Sequence, residues 1–187
     1  MYSYFIIMKL NDVVNQFSSK GFAVLAFPCN QFNNSQPWDN DEVLKSLKFM
    51  RPGLKYEPNY PIFTTCDVNG SFTNQIYEYL KSKQPFPLDD FVTLSSTAAP
   101  DIRLSTPANN ISKYINPSIS WNPVQRSDIS GNFEKFLIDR GGQVVSRYTR
   151  RKPITQITAE IEQLLSKRSR EARSNMSQEL ALQANTM

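Results

Sequence analysis

The chain has no histidine anywhere in its 187 residues. That absence excludes a histidine-based triad, a histidine metal site and a histidine general base, because imidazole is the side chain whose charge ordinarily changes between about pH 5 and 8. Cysteine is nearly absent as well: Cys29 and Cys66 are the only two, too few for a disulfide framework. No apolar run approaches the roughly 20 residues that a membrane-spanning helix needs. The opening MYSYFIIMK holds four consecutive apolar residues, Phe5 to Met8, with no basic region before them. It is a poor match to a secretory signal, and nothing in the sequence assigns a compartment.

What is present fits one globular domain. Hydrophobic residues make up 40% of the chain, too many for general disorder and enough for one substantial core. The formal charge is +4, and basic residues gather late, in Arg147, Arg150, Arg151 and Lys152 and in the tail residues Lys167, Arg168, Arg170 and Arg173. Such runs read as a solvated face and a charged tail. Acidic residues interspersed in the tail argue against nucleic acid or an acidic membrane as the partner.

The organising stretch is GFAVLAFPCNQF, Gly21 to Phe32. Its apolar run Phe22 to Phe27, bounded by Gly21 and Pro28, predicts a strand buried on both faces of a parallel sheet. Cys29, Asn30 and Gln31 then fall at its carboxyl end, where open α/β sheets place their ligands. Before it, Leu10, Val13, Val14 and Phe17 recur at helical spacing, predicting an amphipathic helix from Met8 to Lys20 that Tyr2 to Ile7 extends.

After it, Asp39 or Asn40 is the expected cap of a helix with Val43, Leu44, Leu47 and Met50 as its apolar stripe, stopped by Pro52 and Gly53. Ile62 and Phe63 open a short strand ending at an Asn69-Gly70 turn, and Thr73 to Lys83 is a helix with Ile76, Tyr77 and Leu80 inward. Gln84 to Ser120 has five prolines and no sustained period, and reads as an insertion. Asn132 to Ile138 and Gln143 to Thr149 form a hairpin about Asp139-Arg140-Gly141-Gly142. Ile154, Ile157, Ile161, Leu164 and Leu165 predict a final helix over the sheet. The domain is expected to run over 1–166, with an insertion at about 84–120 and a basic polar tail at 167–187.

FPCNQF, with WNPV, NFEKF and RYTRR further on, resembles the glutathione peroxidase family. The resemblance implies a thioredoxin-like α/β fold and reduction of hydrogen peroxide or organic hydroperoxides by glutathione, with no bound cofactor or metal. The irregular connection Arg51 to Pro61 is similar to one that the tetrameric animal members carry at their subunit contact, so the resemblance leans to a homo-tetramer. In that family a β-hairpin, a buried strand and the catalytic selenocysteine or cysteine precede the first helix. No counterpart of that segment stands in this chain, and the expectation is a truncated, inactive member without the central strand. The alternative is a non-catalytic thioredoxin-fold protein that acts by binding or subunit contact.

The family's nucleophile works with a glutamine, a tryptophan and an asparagine whose N–H groups stabilise the anion. The asparagine position is Asn132, and the tryptophan position just before it is Gly131. The glutamine position is Ser35 without gaps and Gln36 with a one-residue shift, and Gln36 is the candidate. Arg51, Arg150 and Arg151 match basic positions that hold the carboxylates of glutathione, for which the planar guanidinium fork is suited. Cys29 is the remaining thiol near the expected site, although a cysteine beside a buried strand is more often an inert filler. Cys66 precedes Asp67, which opposes thiolate formation. Trp38 and Trp121 read as packing residues.

Overall fold

The computed structural model describes residues 2–32, 40–50, 52–89 and 119–166. Helix α1 spans Tyr2–Phe17 and tightens into a 3-10 turn over Ser18–Lys20. Tyr2 to Ile7 therefore extends the helix, as the sequence predicts. Gly21 closes it in the left-handed conformation (φ 83°), donating its N–H to the Ser18 carbonyl. α2 is Asn40–Phe49 and α3 is Gln75–Lys83. Strands β1, Lys135–Ile138, and β2, Val144–Tyr148, pair antiparallel, and a 3-10 turn over Ile154–Gln156 leads into α4, residues 158–166.

The β1–β2 hairpin closes as expected. The Asp139 N–H donates to the Gln143 carbonyl, the Asp139 carbonyl accepts the Gly142 N–H and its carboxylate the Gln143 N–H, and Gly142 supplies the positive φ. The first strand is shorter than predicted, because 132–134 form a turn in which Phe133 is left-handed (φ 68°).

The buried central strand is corrected. Within Phe22 to Phe27, Ala26 alone makes a bridge, parallel to Ile62. Pro28 and Pro61 have no N–H to donate, which limits any ladder there. Ala23 and Leu25 are exposed while Phe22 and Val24 turn inward, so the segment is half-buried. Ile62 and Phe63 likewise give a bridge in place of a strand. Among the described residues the only sheet is β1–β2.

Two apolar clusters lie on opposite faces of that hairpin, as the alternation of Phe136 and Leu137 dictates. Val13 and Phe17 of α1 meet Tyr148, Ile154, Ile157 and Ile161, with Leu137 beside them, so the final helix does cover one face of the sheet. On the other face Cys29, Val68 and Ile129 pack with Tyr77 of α3 and Phe136. Burying Phe17 alone removes a phenyl side chain from water, worth about 2 kcal/mol or more.

Several helix details differ from the periodicity. In α2, Val43 is buried and Leu47 half-buried, but Leu44 and Met50 are exposed; Ser46 takes the second inward place, its hydroxyl satisfied by the Val43 carbonyl. Asn40 does not cap α2: its side chain accepts the Thr65 N–H. Asp39 lies outside the described residues. In α3, Asn74 is the cap, accepting the Ile76 N–H, while Ile76 is exposed and Lys81 lies inward. The connection after α2 is a strap on α1, with buried Tyr56 donating to the Ile7 carbonyl and Asn59 donating to Asn11 and Asn15. Of the expected insertion, residues 90–118 lie outside the described residues, as does the 167–187 tail. Its start is tied down by the Leu88 N–H on the Arg147 carbonyl.

Arg147, read from sequence as part of a solvated basic run, is fully buried. Its guanidinium pairs with Glu134 at 2.8 Å and donates to the carbonyls of Gln84, Pro85, Ser127 and Asp128. Removing one partner of such a pair strands the other charge in a dry site. Arg147→Met is therefore expected to lower unfolding free energy by about 3–5 kcal/mol, measured as a fall in urea midpoint; an unchanged midpoint would contradict the assignment.

Candidate functional site

Three segments carry the candidate site: the end of the 22–31 segment, where Cys29 packs on Ile129, the turn 130–134 before β1 and the loop 149–152 after β2. The first is anchored by Gln31. Its side-chain oxygen accepts the N–H groups of Val68 and Asn69, both at 3.0 Å, and its amide nitrogen donates to the Asn69 carbonyl. Asn69 continues the chain of bonds, exchanging both of its amide atoms with the backbone of Ile129. All these groups are buried, so each bond also avoids the cost of an unpaired polar atom.

Cys29 sits against this network, 5% exposed, with its thiol 3.7 Å from the Gln31 side-chain oxygen. Burial pushes its pKa up to about 11; bonds from the Gln31 and Val68 backbone pull the other way, and Cys66 and Asp67 add to the rise. Burial, then Asp67, also pushes the half-buried Cys66 thiol up. Attack on a peroxide requires a thiolate, and neither environment favours one. A cleft of about 470 Å³ opens beside Asn30 and Gln31, lined also by Asp67, Asn69, Trp121 and Asn122.

The turn carrying Asn132 is held by Glu134. One carboxylate oxygen accepts both the Ser130 N–H and its hydroxyl at 2.7 Å, and the other accepts from Arg147. Phe133, an aromatic residue at φ 68°, is a strained backbone site of order 1–3 kcal/mol. The loop with Arg150 and Arg151 is held by the next residue, Lys135, whose ammonium donates to the carbonyls of Thr149, Arg150 and Lys152. Burial lowers the Lys135 pKa to about 8, against the opposing pull of Asp89 and Glu134. Asp89 clamps the same loop by accepting the Thr149 N–H and hydroxyl.

Arg150 and Arg151 are exposed, and the Arg150 side chain lies over Gly131, which is itself buried. Ile129 packs on Cys29, so Arg150 and Cys29 flank one loop. The structure thus brings Asn132, Gly131 and Arg150 together. Ser35, Gln36, Trp38 and Arg51 lie outside the described residues. Trp121 is a buried packing residue whose indole N–H donates to Asp128 at 2.8 Å. Among the described residues no cluster of His, Cys, Asp or Glu could hold a metal, and no helix is long and apolar enough to cross a membrane.

Sequence reasoning placed Gln31 at the end of this segment but missed Asn69, Glu134, Lys135 and Asp89 as supports, and Lys81, which donates to the Val68 carbonyl. The available signal was polar residues at inward helical or strand positions, as with Lys81 one step after Leu80.

The chain is mixed α/β with helices on both faces of its hairpin, and the structure and family it matches give it a thioredoxin-like fold. The crystal structure of Trgpx in apo form matches it with a TM-score of 0.51 at 21% identity, covering 87% of this chain and 71% of that one. The family model for glutathione peroxidase matches residues 6–81. Glutathione peroxidase 1 of Rattus norvegicus is 40% identical over 159 residues, 85% of this chain and 70% of the rat protein. Glutathione peroxidase 2 of Pongo pygmaeus is 38% identical over 157 residues, 84% of this chain and 73% of its own length. The chain belongs to the glutathione peroxidase family, and that membership implies glutathione and peroxides as substrates.

The raised Cys29 pKa has a defined sign. The folded state favours the neutral thiol, so its stabilising contribution is present below the ordinary thiol pKa and is lost as pH rises through about 11. Iodoacetamide at pH 8, followed by mass spectrometry of each cysteine, is expected to label Cys29 at least about a hundredfold more slowly than a peptide thiol, with the rate still climbing above pH 10. Labelling at the peptide rate would show an ordinary, accessible thiol instead, and faster labelling a poised thiolate.

Proposed function

We propose that the site serves the reduction of hydrogen peroxide or organic hydroperoxides with glutathione, in the response to oxidative stress. In this reading Asn132 and Gln36 are amide donors to the attacking anion, and Arg51, Arg150 and Arg151 bind glutathione carboxylates. The reaction breaks the O–O bond as a thiolate or selenolate attacks one oxygen. Two glutathione thiols supply the electrons and leave as the disulfide, while hydrogen peroxide leaves as two waters and an organic hydroperoxide as its alcohol and one water.

We further propose that these 187 residues do not turn peroxide over by themselves. The observation that carries this is Cys29, buried, bonded to Gln31 and held protonated. In a glutathione-coupled assay with hydrogen peroxide the chain is expected to show no turnover above that of a free thiol at equal concentration, and Cys29→Ser is expected to leave that rate unchanged. Turnover abolished by Cys29→Ser would assign catalysis to Cys29.

A specific observation favours the second reading, a binding or subunit-interaction protein that assembles as a homo-tetramer. Phe49, Met50 and Leu54 are exposed at the end of α2, Leu54 to 82%, and Leu54 and Lys55 are both held at positive φ. Contiguous exposed apolar residues mark contact surfaces. Sedimentation is expected to show an assembly that Leu54→Asp with Phe49→Asp reduces to monomer; a monomeric parent chain would remove this reading.

A further inference from the structure

Cys29 and Cys66 stand opposite one another on neighbouring segments. Ala26 donates its N–H to the Pro61 carbonyl and accepts the Phe63 N–H at 2.8 Å, the parallel register in which Ala26 faces Ile62. Two residues on, the Pro28 carbonyl accepts the Cys66 N–H at 3.0 Å, where an unbroken register would bring Thr65. The second segment therefore carries one extra residue between the two contacts, and that residue moves Cys66 across from Cys29. Their side chains share a face, because Cys66 packs against the cluster of Cys29, Val68 and Ile129. Neighbouring strands run about 4.8 Å apart, inside the roughly 4.4–6.8 Å that a disulfide spans between Cα atoms.

Both thiols are free, and their surroundings accommodate a bond between them. The Cys29 thiol lies 3.7 Å from Gln31 Oε1, which also accepts the N–H groups of Val68 and Asn69 at 3.0 Å. Loss of the thiol proton leaves that oxygen satisfied, so closing the bond strands no buried polar group. Val68, Ile129, Tyr77 and Phe136 pack around the sulfurs. Exposure sets the order of events: Cys29 is 5% exposed and Cys66 is half-buried, so Cys66 is the sulfur that an outside reagent meets first.

We propose that Cys29 and Cys66 are a redox-sensitive dithiol, which a small-molecule disulfide converts to an intrachain cross-link that latches the 22–31 segment to the 62–69 segment. The Cys66 thiolate, its proton lost to solvent, attacks one sulfur of the small disulfide, forming a mixed disulfide and releasing one small thiolate. Cys29 gives its proton to that thiolate and attacks Cys66 Sγ. The Cys29–Cys66 bond forms, and the second small thiolate leaves and takes a proton from solvent. Two protein thiols lose two electrons, and one small disulfide becomes two thiols. The latch adds a covalent tie where Pro28 and Pro61 have no N–H for a ladder. Asn30, Gln31, Asp67 and Asn69, next to the two cysteines in sequence, line the cleft, so the oxidation state fixes the spacing of its walls.

The test equilibrates the intact chain with oxidised and reduced glutathione as the probe, at fixed ratios, in native buffer and in concentrated urea, followed by acid quenching and peptide mapping without reduction. The parent is expected to yield one peptide pair joined through Cys29 and Cys66, lighter than the free pair by two hydrogens. Its equilibrium constant is expected to be at least about tenfold higher in native buffer than in urea, because a fold that holds the sulfurs together favours the bond. The oxidised chain is expected to melt roughly 5–10 °C above the reduced one, and Cys66→Ala to melt alike in both conditions. A mixed disulfide on Cys66 with Cys29 still a thiol, disulfide-linked dimers, no reaction at any ratio, or equal constants in buffer and urea would each overturn the latch. None of these readouts depends on peroxide turnover, so the latch and the peroxide reading fail separately.

Discussion

The buried charge of Arg147 is the constraint on which the rest of the structure depends. Its guanidinium is fully enclosed, and five groups satisfy it: the Glu134 carboxylate and carbonyls from residues 84, 85, 127 and 128. These partners come from three separate stretches of chain, so the pair acts as a junction between α3's exit, the loop before β1 and β2. Phe136 lies under the cation, with its ring centroid 5.1 Å away. Desolvating two charges offsets most of their attraction, and buried pairs of this kind are often no more stabilising than apolar replacements. What such a junction supplies here is one arrangement of loops.

A second polar junction runs beside it. Lys81 donates to the Val68 carbonyl and lies 3.5 Å from Asp128 Oδ1, which has no hydrogen bond of its own. Burial lowers the Lys81 pKa while Asp128 opposes the shift. Asp128 Oδ2 meanwhile takes the Trp121 indole N–H and the Gln125 N–H. Together with Gln31 and Asn69, these residues fix the loops that follow segments 22–27 and 62–68. The irregular backbone there satisfies its N–H and C=O groups through side chains, because regular ladders are scarce in that half of the described molecule.

The overall α/β class, the first helix including Tyr2 to Ile7, the hairpin and the last helix were legible because each rests on local signals: 3.6-residue periodicity, Gly21 past a helix end, and a Gly-Gly turn. Phe22 to Phe27 misled because six apolar residues in a row report burial tendency and say nothing about ladder partners; the bonds actually available come from Pro61 to Cys66 and are few. Arg147 misled in the opposite sense. One arginine in a basic run looks like its neighbours, and its burial is decided by Glu134 and by backbone carbonyls far away in sequence. Asn132 and Arg150 were legible only through family resemblance, whereas their supports, Glu134 and Lys135, follow from three-dimensional contacts that no spacing rule encodes.

The positions of strain and support follow one logic. Phe133 holds a left-handed conformation that disfavours an aromatic residue, and such strain persists only where neighbours over-determine it. Glu134 grips Ser130 on one side of Phe133, and β1 pairing begins at Lys135 on the other. Glu134 in turn is fixed by Arg147, and Lys135 reaches from β1 into the loop beyond β2. The four residues 132–135 therefore alternate between presenting a group, bearing strain and supplying two clamps, one of them bound to the buried cation. The Arg147 junction thereby fixes the backbone of the turn that carries Asn132, and Lys135 that of the loop that carries Arg150. The Cys29 thiol, pushed up to about 11 by burial, packs on Ile129 and bonds to Gln31, so it belongs to the polar network beside this turn and not to the turn itself.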